Sequence, residues 1–170
     1  MRQKIIWLIL ILGMTSSAYL ASKALSRPKN IPKGIESLPA VNLLLTDSQT
    51  VISTADAKKH KATVLFYFDP NCDHCQHQTE DIIANKDILK KVNFYFISLD
   101  SLRRIKKFKD YYHLQDISEI TVAKDYEYNA FKTFKIESIP TNIVYNSNHK
   151  IVKIYPGGMS VSQLKNVLNL

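Results

Sequence analysis

The sequence predicts an α/β protein: a mixed central β-sheet flanked by helices on both faces, with a β-hairpin extension at its N-terminal side. Two continuous apolar runs, residues 63–68 (TVLFYF) and 92–99 (VNFYFISL), are rich in aromatic and β-branched residues, as strands buried on both faces are. Each is followed by a polar segment carrying apolar residues at helical spacing. Near the end, residues 142–145 and 150–155 flank the turn Asn146-Ser147-Asn148 and read as a closing hairpin.

Taken in order, the chain opens with Arg2 and Lys4 before an unbroken apolar run over residues 5–12 and a small polar stretch, Thr15-Ser16-Ser17. This is the pattern of an export signal or, since no charge follows until Lys23, of a retained membrane anchor; residues 1–21 are assigned to it. Residues 22–40 shift to Ser, Lys and Pro (Pro28, Pro32, Pro39) and read as an extended linker, so the folded domain is expected over 41–170. It begins with a hairpin, residues 41–45 turning through Thr46-Asp47-Ser48-Gln49 to Val51 and Ile52. The first buried strand follows, then a helix from about Asp73 to Lys91 that bends or breaks near Asn85. After the second buried strand, Leu102, Ile105, Phe108 and Tyr112 mark one face of a helix whose other face is basic. Residues 126–134 form a further short helix with Ala130, Phe131 and Phe134 inward, and Val161, Leu164, Val167 and Leu168 mark the last one. Past the opening hairpin the expected order is therefore β, α, β, α, α, β, β, α.

Composition removes several function classes. With 45% apolar and 22% charged residues but only four glycines and six prolines among 170, the chain is neither disordered nor low in complexity, and it has no internal repeat. The net charge of +8 invites a nucleic-acid reading, yet the basic run Arg103 to Lys109 is the wet face of an amphipathic helix with no groove-reading or aromatic-interleaved motif. No nucleic-acid partner is expected.

The only cysteines are Cys72 and Cys75, a single Cys-x-x-Cys. A disulfide-stapled scaffold or a four-cysteine zinc site would need more. A redox dithiol remains, or a metal site completed by His74 and His77. The latter four ligands would crowd onto one and a half helical turns, a poor tetrahedron, and no metal is assigned. Haem attachment needs a histidine directly after the second cysteine, where Gln76 stands. Cys72 falls where the buried strand turns through Asp69-Pro70-Asn71 into a helix, and the unpaired N–H groups and dipole of a helix N-terminus favour a thiolate there. Cys72 is thus the expected nucleophile, and Cys75, one turn on and more buried, the resolving thiol. Between them, a histidinium at His74 would stabilise the thiolate and raise the potential of the couple, while Asp73 pulls the other way.

The strand 63–68, the motif Cys72-Asp73-His74-Cys75, the later Ile139-Pro140-Thr141 ahead of a strand, and Gly157-Gly158 together resemble the thioredoxin-like family over residues 41–170. The export segment, opening hairpin and residues 131–141 look like its exported TlpA-type and redoxin branch. The resemblance implies a thioredoxin-like fold in which Pro140 is cis and lies against the dithiol, while Ile139 presents backbone to the substrate and Asp73 and His74 border its site. It implies a thiol–disulfide oxidoreductase working outside the cytoplasm, periplasmic or membrane-anchored, a monomer without cofactor. Its partners would be a protein disulfide or dithiol and an upstream, membrane-bound thiol donor. Departures from the family pattern are Asn71 in place of an aromatic residue before the first cysteine, Asp73-His74 inside the motif, and Phe66 where many members carry a buried acid. Asp69, Glu80 or water would then take the proton of Cys75. The peroxiredoxin Thr and Pro are replaced by Asp69 and Leu65. Two readings from other classes stand beside this one: a module that hands copper or another metal to a partner, and a redox-inactive binding domain.

Overall fold

The computed structural model describes residues 31–170; the expected signal or anchor over 1–21 and the first part of the expected linker lie outside the described residues. A seven-stranded sheet is built from β1 (Asn42–Leu45), β2 (Val51–Ser53), β3 (Ala62–Tyr67), β4 (Val92–Ser98), β5 (Ile120–Lys124), β6 (Thr141–Tyr145) and β7 (Ile151–Pro156), in the spatial order β2-β1-β5-β4-β3-β6-β7. Strands β3, β4 and β5 are mutually parallel; β1, β2, β6 and β7 pair antiparallel with their neighbours. The helices are α1 (Asp73–Ala84), α2 (Lys86–Lys91), α3 (Leu102–Tyr111), α4 (Asn129–Phe134) and α5 (Val161–Leu168).

All residues of β3 and β4 are buried, as their uninterrupted apolar patterns require of strands hydrogen-bonded on both edges and covered on both faces. Alternation along β3 sends Val64 and Phe66 to one face and Leu65 and Tyr67 to the other. Ile82, Ile88, Ile105, Phe108 and Leu164, from α1, α2, α3 and α5, cover the first face; Ala130 and Phe134 of α4, with Ile35 and Val41, cover the second. The first face is aromatic: Phe66 meets Phe96 edge-on at 4.8 Å, and Phe68 meets Phe108 of α3 at 4.7 Å. Fully burying each such ring contributes roughly 1.5–3 kcal/mol.

Three sequence expectations are corrected. Residues 120–124 form β5, a strand inside the sheet, where none was expected; β1 pairs with it, so the opening hairpin joins the main sheet through β5. The short ITVAK segment sits between polar flanks and carries Thr121 and Lys124, which hides its pairing on both edges. Phe131 turns outward at 36% exposure, because α4 starts only at Asn129, after Tyr128 in the left-handed region. The expected linker is packed onto the domain from Ile35: this side chain is buried, its carbonyl accepts from the Tyr145 hydroxyl at 3.0 Å, and Leu38 N donates to His149 O at 2.9 Å. The break expected near Asn85 is present, dividing α1 from α2.

The wholly buried Asp125 directly after β5 also escapes notice in the sequence. Its carboxylate accepts from the Tyr67 hydroxyl at 3.0 Å and from the N–H groups of Ala130 and Phe131 at 3.1 and 2.8 Å, tying β3 to the start of α4. Burial, and then the Asp125 charge, push the Tyr67 phenol far above its ordinary pKa. Asp125→Ala would strand two buried donors and one part-buried one, so urea unfolding should show a loss of about 2–3 kcal/mol or more, and Tyr67→Phe in that background should recover part of it.

Candidate active site

Strand β3 delivers the two cysteines. Past Tyr67, Phe68 N still donates to Ile97 O of β4 at 2.9 Å, and the chain then turns. The turn is locked locally: the Asp69 carboxylate accepts from Asn71 N at 2.7 Å, and Cys72 N donates to Asp69 O at 3.1 Å. Cys72 has extended backbone angles and is the N-cap of α1, its carbonyl accepting from Cys75 N at 2.9 Å and Gln76 N at 3.0 Å. Its side chain makes no capping hydrogen bond. The Gln76 amide donates to Pro70 O at 3.1 Å and fastens the turn to the helix.

Cys72 is half-buried; Cys75, on the first turn of α1, is fully buried at 0% exposure and belongs to the hydrophobic core. Both thiols are free. The Cys75 thiol is pushed far up from its ordinary pKa, first by burial and then by its hydrogen bond to the Cys72 sulfur. The Asp69 backbone N–H opposes this, while the Asp69 carboxylate adds to the rise. The two acids expected as proton acceptors are placed differently: the Asp69 charge is felt at Cys75. Glu80 instead lies near Tyr112, whose phenol pKa is raised by burial and then by the Glu80 charge, and 3.5 Å from His77.

Asp73 and His74 are exposed on the first turn of α1, Asp73 complementing the helix dipole. His77 is exposed as well. Among the described residues no three His, Cys, Asp or Glu side chains gather into a metal-binding group.

The other half of the site comes from register. Strands β3 and β6 end their pairing with Tyr67 opposite Thr141, so Phe68 and Pro140, each one residue further, leave the sheet side by side. The Ile139–Pro140 bond is cis; Pro140 is buried, its carbonyl accepts from Gly157 N at 2.7 Å, and Ile139 is 43% exposed. Gly157 has φ +103°, a conformation that glycine alone adopts readily.

A second set of residues was not expected. Gln78, one turn beyond Cys75, and Asn142, two residues beyond Pro140, are buried and exchange amide hydrogen bonds at 2.6 and 3.1 Å. Gln78 Oε1 also accepts from Met159 N at 2.9 Å, and Asn142 Nδ2 donates to Gly157 O at 3.2 Å. This network binds α1, the start of β6 and the turn after β7 into one unit. Polar side chains 64 positions apart carry no periodic signal, so only the fold brings them together.

The family profile of a thioredoxin-like domain matches residues 48–170. The chain belongs to the thioredoxin-like family. Solved thioredoxin-like structures agree on the fold. A secreted Mycobacterium tuberculosis disulfide oxidoreductase homologous to E. coli DsbE superposes with a TM-score of 0.62 at 15% identity, over 75% of this chain and 93% of that one. The exposed lipoprotein thioredoxin of Streptococcus pneumoniae gives 0.59 at 20% identity over 78% and 100%. Copper-bound ScoI of Arabidopsis thaliana gives 0.58 at 14% identity over 75% and 92%. Among curated proteins, no sequence relative matches.

The two thiols of this thioredoxin-like domain should differ sharply in reactivity. Iodoacetamide at pH 8 should modify Cys72 at least about tenfold faster than Cys75, since Cys75 is held buried and protonated; peptide mapping of timed samples reads both.

Proposed function

We propose that the chain is a thiol–disulfide oxidoreductase acting outside the cytoplasm, with Cys72 as nucleophile and Cys75 as resolving thiol. The observation that carries this reading is the pairing of a half-buried Cys72 at the N-cap of α1 with a fully buried Cys75 one turn further on. The Cys72 thiolate attacks one sulfur of a substrate disulfide, forming a mixed disulfide and expelling a substrate thiolate. Cys75 then loses its proton, through Asp69 or water, and attacks the Cys72 sulfur. The Cys72–Cys75 disulfide forms as the second substrate thiolate leaves, and the dithiol has passed two electrons to the substrate. An upstream thiol donor, membrane-bound in this proposal, reverses the exchange and restores the dithiol.

Ile139, exposed and flanked by the buried Pro140, offers backbone beside the sulfurs for an extended substrate strand, with Asp73 and His74 at the opening. The protein works as a monomer without a cofactor. The secreted and surface-exposed neighbours support the extracytoplasmic setting, as does the apolar segment at the N-terminus. Among the described residues no helix is long and apolar enough to cross a membrane.

The test is a glutathione titration of the couple together with turnover of a protein disulfide. A reversible two-electron couple should appear between about −270 and −120 mV. Cys72→Ser should abolish turnover, and Cys75→Ser should halt it at a mixed disulfide with substrate, visible by mass spectrometry. Turnover that survives in Cys72→Ser, or the absence of any reversible couple, would overturn the assignment and favour a redox-inactive binding domain.

A further inference from the structure

We infer that the cleft between the Asp69-Pro70-Asn71 turn and α3 docks an acidic segment of the protein substrate, the residues flanking its disulfide. The inference rests on the thiol–disulfide reading for the purpose of docking and adds a substrate class to it. The cleft encloses about 530 Å³, within the range of sites that hold ligands, and one wall is Pro70, Asn71 and Gln76, the residues immediately around Cys72. The facing wall is α3, which contributes Arg103, Arg104 and Lys107 together with Tyr111 and Tyr112.

Two observations set the chemistry of the occupant. The first is charge. Arg104 is engaged by Asp100 at 3.3 Å, whereas Arg103 and Lys107 have no acidic partner within salt-bridge distance among the described residues. Asp110 is paired with Lys106 at 2.8 Å, and the residues lining the cleft include Arg103, Arg104 and Lys107 but no Asp or Glu. The cleft is therefore left with free positive charge, and a carboxylate is its complement.

The second is the aromatic floor. Tyr111 is 76% exposed, edge-on to Tyr112 at 4.9 Å, and Tyr112 in turn packs on Phe108 at 4.8 Å. Such a ladder offers apolar area with polar tips, suited to a polypeptide lying across it. A concave site that opens beside the nucleophile suits a chain segment carrying the disulfide to be attacked. A bilayer needs a flat or convex face.

The test uses the full-length chain and two fluorescein-labelled peptides of one length, Glu-rich and Lys-rich, each with Ser where a substrate would have Cys, read by fluorescence anisotropy. The Glu-rich peptide should bind about tenfold more tightly than its basic counterpart at low salt, lose that advantage in 0.5 M NaCl, and rank below it in R103E/K107E. An inverted order is a gain that a misfolded variant could not produce. Equal binding of the two peptides, or an unchanged order after charge reversal, would overturn the proposal. So would a reversal that releases phosphatidylglycerol vesicles while the peptide order stays as it was, since the face would then be a membrane surface. Reduction of hydroxyethyl disulfide by the wild type reports the thiol chemistry separately. Its failure would sink the oxidoreductase reading, and the peptides, having no cysteine, would still decide the cleft.

Discussion

The antiparallel register between β3 and β6 is the constraint on which the rest of the site depends. Strand β3 is hydrogen-bonded on both edges, parallel to β4 and antiparallel to β6, and covered on both faces, so its end cannot shift without moving the whole sheet. With Tyr67 fixed opposite Thr141, the turn that presents Cys72 and the segment that presents Ile139 and Pro140 are bound to emerge together. Slippage by one residue would send Phe66 to the Tyr67 face and Tyr67, with its phenol, into the phenylalanine layer. The aromatic first face and the Asp125 partner on the second both oppose that slip.

The Gln78–Asn142 exchange extends this control from backbone to side chains. Two amides that satisfy each other and two backbone groups form a closed set in a dry interior, where any unmatched member would be costly. Helix α1 is thereby keyed to β6 in rotation as well as in position, which fixes which way Cys75 points. Asp81 reinforces the arrangement from the same helix, accepting from Val161 N at the start of α5. In the proposed chemistry the motif residues react, while residues with no motif hold their geometry.

The parts legible in the sequence were those governed by local chemistry. Continuous apolar runs announced β3 and β4, and the polar interruption at Asn85 announced the helix break. Position relative to a buried strand set Cys72 and Cys75 apart as half-buried and fully buried. The illegible parts were decided by pairing across long separations. Strand β5 is short and polar at two of its five positions, and its place in the sheet comes from β1 and β4 rather than from its own residues. Asp125 and Asn142 would be read from sequence as solvent-facing, because their compensation lies in groups the sequence does not set beside them. Ile35 looked like part of a tether because its prolines are local and its contact, the Tyr145 hydroxyl, is 110 positions away.

That contact gives the domain two poles. Residues 36–38 run alongside the β6–β7 turn, where Ser37 bridges Lys150, and this turn lies at the far end of β6 from Pro140. A five-residue strand separates the two ends by roughly 17 Å. Within the described domain, the stretch 36–38 and the two sulfurs thus lie at opposite ends of β6, so the segment paired beside Lys150 stands clear of the approach to the thiols.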